Sequence, residues 1–344
     1  MGGTRIRLPI IPASFFGIVL GLIGAGSNWR AAHDLWRLPA LPGELLMSAG
    51  VMAWAIITIL FAAKWIFATR EATAEARQPV QCCFIGLAGV STMLVALAVL
   101  PYARAAALAV FIGGASFTLG FALWRTGELW KGDRDPGATT PVLYLPTVAG
   151  SFVTAIGCGA FGVPGWGRLA FGAGLLSWLA IESVLVHRLY TAPEMTPALR
   201  PTLGIQLAPP AVGAAAYLNV TSGPPDMMAY ALIGYGLLQF LLLARLLPWI
   251  AVVPPSPSYW SFTFGLTALA TAMLRMTLRG DDGPVSTLAP IVFGLVQAII
   301  ALIVLGTLWL LLSGRMLPAT VGASASAVSS PNRGSGFTTQ ANPE

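Results

Sequence analysis

The chain alternates between two kinds of long apolar stretch. One opens at a proline and is rich in Gly, Ser, Thr and Ala; the other follows it and is plainer, rich in Leu and Trp. The pair occurs five times, its first members opening near Pro9, Pro79, Pro141, Pro201 and Pro257. A helix needs about 20 apolar residues to cross a bilayer. Runs of that length, or close to it, lie at 9–27, 44–67, 79–100, 106–124, 142–162, 166–187, 203–219, 228–249, 259–274 and 285–312. The run at 259–274 is short and Arg275 truncates it, yet it holds no charge and the repeat places a crossing there. The pattern predicts an all-α integral membrane fold over residues 1–317, with ten transmembrane helices as five helical hairpins. Residues 318–344 have too few large apolar side chains to order themselves and read as a disordered tail.

Composition supports a membrane protein. Hydrophobic residues make up 56% of the 344, charged ones only 9%, and mean hydropathy is +0.77, against about 25% charge in a soluble domain. The balance of +6 does not imply a nucleic-acid partner, because the basic residues form no patch and stand singly between apolar runs. They sort by side instead. Thirteen of the 19 Lys and Arg fall on the N-terminal side of the alternation, and six on the other: Arg30, Arg37, Arg104, Arg168, Arg275 and Arg279. The excess of basic residues in cytoplasmic loops then puts both termini in the cytoplasm of a multi-pass protein of the cell's inner (plasma) membrane. Cys82, Cys83 and Cys158 all lie in apolar runs without ligand spacing, so neither a metal nor a disulfide framework is expected.

The two members of each pair are built differently. In the fifth run, Thr147, Gly150, Ser151 and Thr154 recur at helical spacing and form a face of small and hydroxyl side chains. Ser14, Gly17 and Gly21 do the same in the first, Gly86 and Gly89 in the third, and Pro209 and Gly213 in the seventh. Such faces serve tight helix packing, of which Gly17 and Gly21 form a GxxxG instance, or they line a narrow, weakly polar conduit. Their recurrence on every odd-numbered run favours the conduit, with the Leu-rich helices as its jacket. The ninth run adds a large ring to this face. Phe264 has Ser261, Thr267, Ala268 and Thr271 as neighbours at helical spacing, so on a conduit wall it would be a plug. Phe262, among Tyr259, Leu266, Leu269 and Met273, reads as packing.

Ionisable residues inside a span are functional candidates by default. Glu182 and Arg245 lie at similar depth in the sixth and eighth runs. They fit a matched pair, an Arg reaching the interface, or a proton-coupling role for Glu182. No Arg or Lys stands in the middle of an odd-numbered run, so a conduit there would select anions weakly, by ease of dehydration. No Ser/His/Asp set, metal cluster or phosphate loop is evident, so no catalytic residue and no cofactor is predicted.

Several stretches carry a resemblance: PASFFGIVLGL at 12–22, RTGELW at 125–130, YLPTVAGSF at 144–152, FGAGLLSWLAIESVLVHRL at 171–189, LGIQLAPPAVGAAAYL at 203–218, LLLARLLPWI at 241–250 and WSFTFGL at 260–266. The chain resembles the tellurite-resistance/dicarboxylate transporter family, which includes bacterial tellurite-resistance proteins, yeast malic acid transporters and plant guard-cell slow anion channels. The resemblance implies a homotrimer in the lipid bilayer in which every subunit has its own central pore, lined by odd-numbered helices and occluded by Phe264. It implies passage of small anions, or, in the alternative, proton-coupled carriage of C4-dicarboxylates or tellurite-like oxyanions. The long cytoplasmic extensions of the plant channels have no counterpart among these residues.

Overall fold

Proline decides where each inner helix can begin. It lacks an N–H and its ring blocks the preceding turn, so it is tolerated at the first turn or in irregular helix. In a computed structural model, which describes residues 9–132, 136–252, 254 and 256–317, every first member of the pair starts with a non-α lead-in. These are the 3₁₀ turns Ala13–Phe15 behind Pro12, Gln81–Gly86 behind Pro79, Pro141–Leu143, Pro197–Leu207 and Pro257–Phe262, with a π turn at Leu145–Ala149 that takes up Pro146. The predicted tail, and Arg5, Arg7, Arg134 and Arg333 of the charge count, lie outside the described residues.

The α-helices are α1 (Phe16–Trp36), α2 (Leu41–Phe67), α3 (Thr69–Arg77), α4 (Leu87–Val99), α5 (Arg104–Leu129), α6 (Gly150–Ala160), α7 (Pro164–Thr191), α8 (Ala208–Val220), α9 (Met227–Ile250), α10 (Thr263–Leu278) and α11 (Pro284–Leu312). No strand occurs among the described residues. Seven segments are long and apolar enough to cross a membrane: α2, α5, α7, α9, α11, and the lead-in composites Gln81–Val99 and Pro141–Ala160. Helices α1, α8 and α10 are not among them; α1 carries Asn28, Arg30, His33 and Asp34. Arg275 does not truncate the ninth segment as the sequence suggested. Helix α10 runs through it to Leu278.

Packing follows the repeat. Helix α1 contacts α4, α4 contacts α6, α6 contacts α8, α8 contacts α10, and α10 returns to α1, closing a ring. Each longer helix fills a groove outside it: α2 against α1 and α4, α5 against α4 and α6, α7 against α6 and α8, α9 against α8 and α10, α11 against α10 and α1. Burial separates the layers. The best apolar windows of the outer helices are only 22% to 33% buried, against 78% for Gln81–Val99 and 61% for Pro141–Ala160. Outer surfaces such as Ile112, Leu119 and Leu123 on α5 are exposed.

The polar helix α3 was not foreseen, and it fixes the start of the ring. Glu75 accepts the Ala13 N–H at 2.8 Å through Oε1 and receives Lys64 Nζ on Oε2. Lys64 also donates to Ile11 O at 2.8 Å and lies 4.5 Å from the Phe61 ring centre. A buried lysine is tolerable only with such partners.

Candidate functional site

Two cavities lie inside the ring, one at each end. The first, at the N-terminal ends of the inner helices, has a volume of about 140 Å³ and takes wall residues from all five lead-ins, including Ser14, Gln81, Tyr144, Thr202 and Ser261. The second, toward their C-terminal ends, has about 310 Å³ and is walled by residues such as Ser27, Leu97, Ile156, Asn219 and Thr271. Among the described residues, the two walls share Phe264 and Val212. Phe264 is the second residue of α10, just beyond the Pro257–Phe262 lead-in. One face of α10 then presents Thr267, Ala268, Thr271 and Arg275 to the second cavity, at the spacing of a single helical stripe. Its neighbour in the ring, α8, contributes Pro209, Val212, Ala215 and Asn219.

The walls are less polar than the sequence reading made them. Ser14, Gly17, Pro209 and Ser261 reach the first cavity, Thr267 and Thr271 the second. The other small residues turn to neighbouring helices. A Cβ at Gly21 would stand 2.6 Å from the Trp260 ring, at Gly86 3.0 Å from Phe121, at Gly89 2.1 Å from Thr118 Oγ1, at Gly150 2.1 Å from Thr118 Cγ2, and at Gly213 3.1 Å from Phe152. Thr154 contacts Met93 Sδ at 3.5 Å, the Ser151 Cβ packs at Gly174, and the Thr147 hydroxyl is buried without a partner. On the third and fifth segments the small face therefore serves close helix packing. The cavity walls there are apolar, from Phe84, Leu94, Leu97, Val148, Phe152 and Ile156. Hydroxyl protons also point away. Ser261 donates to Pro201 O at 2.5 Å, Thr202 to Leu199 O at 2.6 Å, Thr267 to Thr263 O at 2.8 Å, and Thr271 to Asn28 Oδ1 at 2.5 Å. Phe262 packs at Gly204 and stacks with Tyr259 at 6.3 Å between ring centres.

Glu182 and Arg245 do not form a pair. Arg245 is exposed on α9. Glu182 receives the Tyr144 hydroxyl, Trp178 Nε1 at 3.0 Å, Gln206 Nε2 at 2.9 Å and the Tyr235 hydroxyl at 2.6 Å. Those donors come from two lead-ins, α7 and α9, so the carboxylate ties the N-terminal end of the ring to its jacket. Tyr144 also lines the first cavity. Tyr144 thus links Glu182 to the wall of that space.

Arginines manage the opposite end, where inner-helix carbonyls lack partners. Arg30 Nη2 donates to Ala98 O of α4 at 3.2 Å, Arg104 Nη2 to Phe161 O behind α6 at 2.8 Å, and Arg168 Nε to Val220 O of α8 at 3.1 Å. Arg279 Nη2 donates to Leu218 O of α8 and, at 2.5 Å, to Thr221 O. Arg30 is further neutralised by Glu44, with two contacts of 2.8 Å.

A family model described as a voltage-dependent anion channel, SLAC1, matches residues 11–317, the full extent of the ring and its jacket. The chain belongs to the SLAC1 family. Its relatives in that family include the tellurite resistance protein TehA homolog of Haemophilus influenzae, 32% identical over 306 residues that cover 89% of this chain and 92% of the relative. They also include the guard cell S-type anion channel SLAC1 of Arabidopsis thaliana, 22% identical over 311 residues, covering 86% of this chain and 55% of the plant protein. Membership makes this SLAC1-family chain a membrane anion channel or transporter.

Sequence reasoning missed several residues of the SLAC1-family site. Val212 was passed over for Gly213, yet Pro209, Val212, Ala215 and Asn219 form the more regular helical stripe. Tyr144 and Gln206 stand within stretches already singled out at 144–152 and 203–218, but nothing local in the chain signals that both converge on Glu182. Arg275 was read as a helix terminator. Its position, eleven residues after Phe264 or about three helical turns, was the available signal.

Proposed function

We propose that the chain forms a transmembrane pathway for small monovalent anions, closed at its centre by Phe264. The proposal includes ten crossings as five hairpins over residues 1–317, inner helices around the pathway, both termini in the cytoplasm, and three copies assembled as a homotrimer with one pathway each. The single observation that carries it is the sharing of Phe264 and Val212 by two cavities that otherwise have separate walls. A phenyl ring at that junction is a removable obstruction, because it hangs on one χ1 torsion and needs no backbone movement to swing aside. Apolar walls whose hydroxyl protons point away from the cavities offer an anion little to replace its water, so the pathway favours anions that dehydrate easily. Helix N-terminal ends at the first cavity attract negative charge.

Phe264→Ala recorded in planar bilayers tests this. The expected result is an anion conductance many times that of the wild-type protein, reversing at the anion equilibrium potential. A variant that folds and conducts no more than wild type overturns the plug. A second reading, proton-coupled carriage of a dicarboxylate or of a tellurite-like oxyanion, draws on the link through Tyr144 between Glu182 and the wall of the first cavity. It predicts saturable uptake that rises as the outside is acidified.

A further inference from the structure

Of the six arginines toward the C-terminal ends of the inner helices, four are held by helix-end carbonyls: Arg30, Arg104, Arg168 and Arg279. Arg37 is an exposed residue that ends α1 in the left-handed conformation, with φ 57°. Arg275 differs from all of them. It lines the 310 Å³ cavity, and although its backbone carbonyl accepts the Arg279 N–H at 3.1 Å, its guanidinium makes no hydrogen bond and no ion pair within 4 Å among the described residues. The charges that bear on it are Arg279, already capping α8, and Asp34, exposed on the last turn of α1 at the same cavity mouth. It ends the stripe that begins with Phe264.

We propose that Arg275 is a fixed binding group for a small monovalent anion of the halide or nitrate class, placed on the C-terminal side of Phe264; the inference deepens the anion-pathway reading. Five helix C-termini converge at this end and oppose negative charge there. Four arginines offset the ends of three of those helices, α4, α6 and α8, whereas the guanidinium of Arg275 is left to act on the cavity. Thr267 and Thr271 direct their protons to Thr263 O and Asn28 Oδ1. One guanidinium balances one negative charge. The other arginine in this wall, Arg30, is engaged by Glu44, so the site suits a single charge.

Bromide binding to the purified full-length protein in detergent, followed by the line width of the bromide-81 resonance, tests the site without reference to transport. Wild type is expected to broaden the line saturably, Arg275→Gln to raise the half-saturating concentration about tenfold, the worth of one charge-assisted hydrogen bond, and Arg275→Lys to retain most of the effect. Asp34→Asn is expected to tighten binding. In the Phe264→Ala background, Arg275→Gln is expected to raise the chloride concentration that half-saturates conductance by a similar factor. If folded Arg275→Gln and Arg275→Lys both bind bromide as wild type does, the proposal is overturned. If Phe264→Ala passes no current while bromide binding still depends on Arg275, the site stands and the pathway reading falls.

Discussion

Replacing Glu182 separates a bracing carboxylate from a proton-coupling one. Two oxygens accept four donors, and Gln206 Nε2 lies 2.9 Å from both of them. A Gln at 182 accepts at one atom and donates at the other. With its oxygen toward Tyr144 and Trp178, its amide nitrogen meets Tyr235, whose hydroxyl can turn to accept. It also meets Gln206, which can rotate to offer Oε1, an atom buried without a partner in the native protein. The exchange turns about four charge-assisted bonds into neutral ones at about 1 kcal/mol each. The lower desolvation of a neutral side chain offsets part of that loss, and the net cost is about 1–3 kcal/mol. Glu182→Leu offers no acceptor; Gln206 Nε2 keeps its bond to the Tyr144 hydroxyl at 3.1 Å, but the other three donors are left unsatisfied at about 1–3 kcal/mol each, so the change costs at least about 3 kcal/mol. Thermal unfolding in detergent, read beside anion flux into vesicles across the acidic and neutral range, distinguishes the roles. Bracing predicts that Glu182→Leu is less stable than Glu182→Gln and that flux through Glu182→Gln keeps its pH profile. Equal stability of the two variants would refute the bracing argument; a fully stable Glu182→Gln that loses pH-dependent uptake would establish coupling in its place.

Two other perturbations test the frame around the cavities. Lys64→Met strands Glu75 in a nearly buried position, with side-chain exposures of 2% for Lys64 and 10% for Glu75; breaking such a pair costs about 3–5 kcal/mol. The expected outcome is a lower unfolding temperature, partly restored by adding Glu75→Gln, and an unchanged melt would count against the role given to α3. Gly159→Ala should destabilise by at least about 2 kcal/mol, because its Cβ would stand 2.2 Å from the Asn219 carbonyl oxygen, a backbone atom that cannot rotate away. Gly113→Ala on the outer face of α5, where nothing lies within 4 Å, should be neutral or stabilising by up to about 1 kcal/mol, and reversal of that order would undermine the inner-ring packing.

What was legible in the chain was periodicity, and what was not was rotation about each helix. The spans at 106–124 and 285–312 fall inside α5 and α11 because a run of apolar residues needs no partner to announce a helix. Phe264 was legible for a related reason: its whole stripe, Ser261 to Thr271, differs in size and polarity from the Phe262 face, and the stripe lies on the cavity walls. The fifth segment offered no such contrast. Its small face and its apolar face are equally plausible walls, and the choice belongs to α5, where Thr118 and Phe111 need the room that Gly150 and Gly157 leave. Long-range convergence was also out of reach. Tyr144, Trp178, Gln206 and Tyr235 meet at Glu182 across separations of up to 62 residues between partners, and no local spacing encodes that meeting.

The arginines illustrate how one residue type can answer two physical demands. Counting charges by side assigns the minority of Lys and Arg to the far end of the inner helices, and by that rule alone they look like exceptions. The ring makes them requirements. Five short helices stop at that end, and each leaves carbonyls that water cannot reach freely once lipid and neighbours surround them. An arginine arriving from an adjacent hairpin supplies the missing donors and offsets the negative end of the helix dipole. Arg104 and Arg168 do so from near the starts of α5 and α7, so the outer helices of the second and third hairpins each cap the next inner helix as they depart. Four arginines serve three of the five ends, those of α4, α6 and α8, and a further arginine turned inward serves none of them. Arg275 stands in that position, on the same stripe as Phe264, and an anion in the second cavity is the partner its charge lacks.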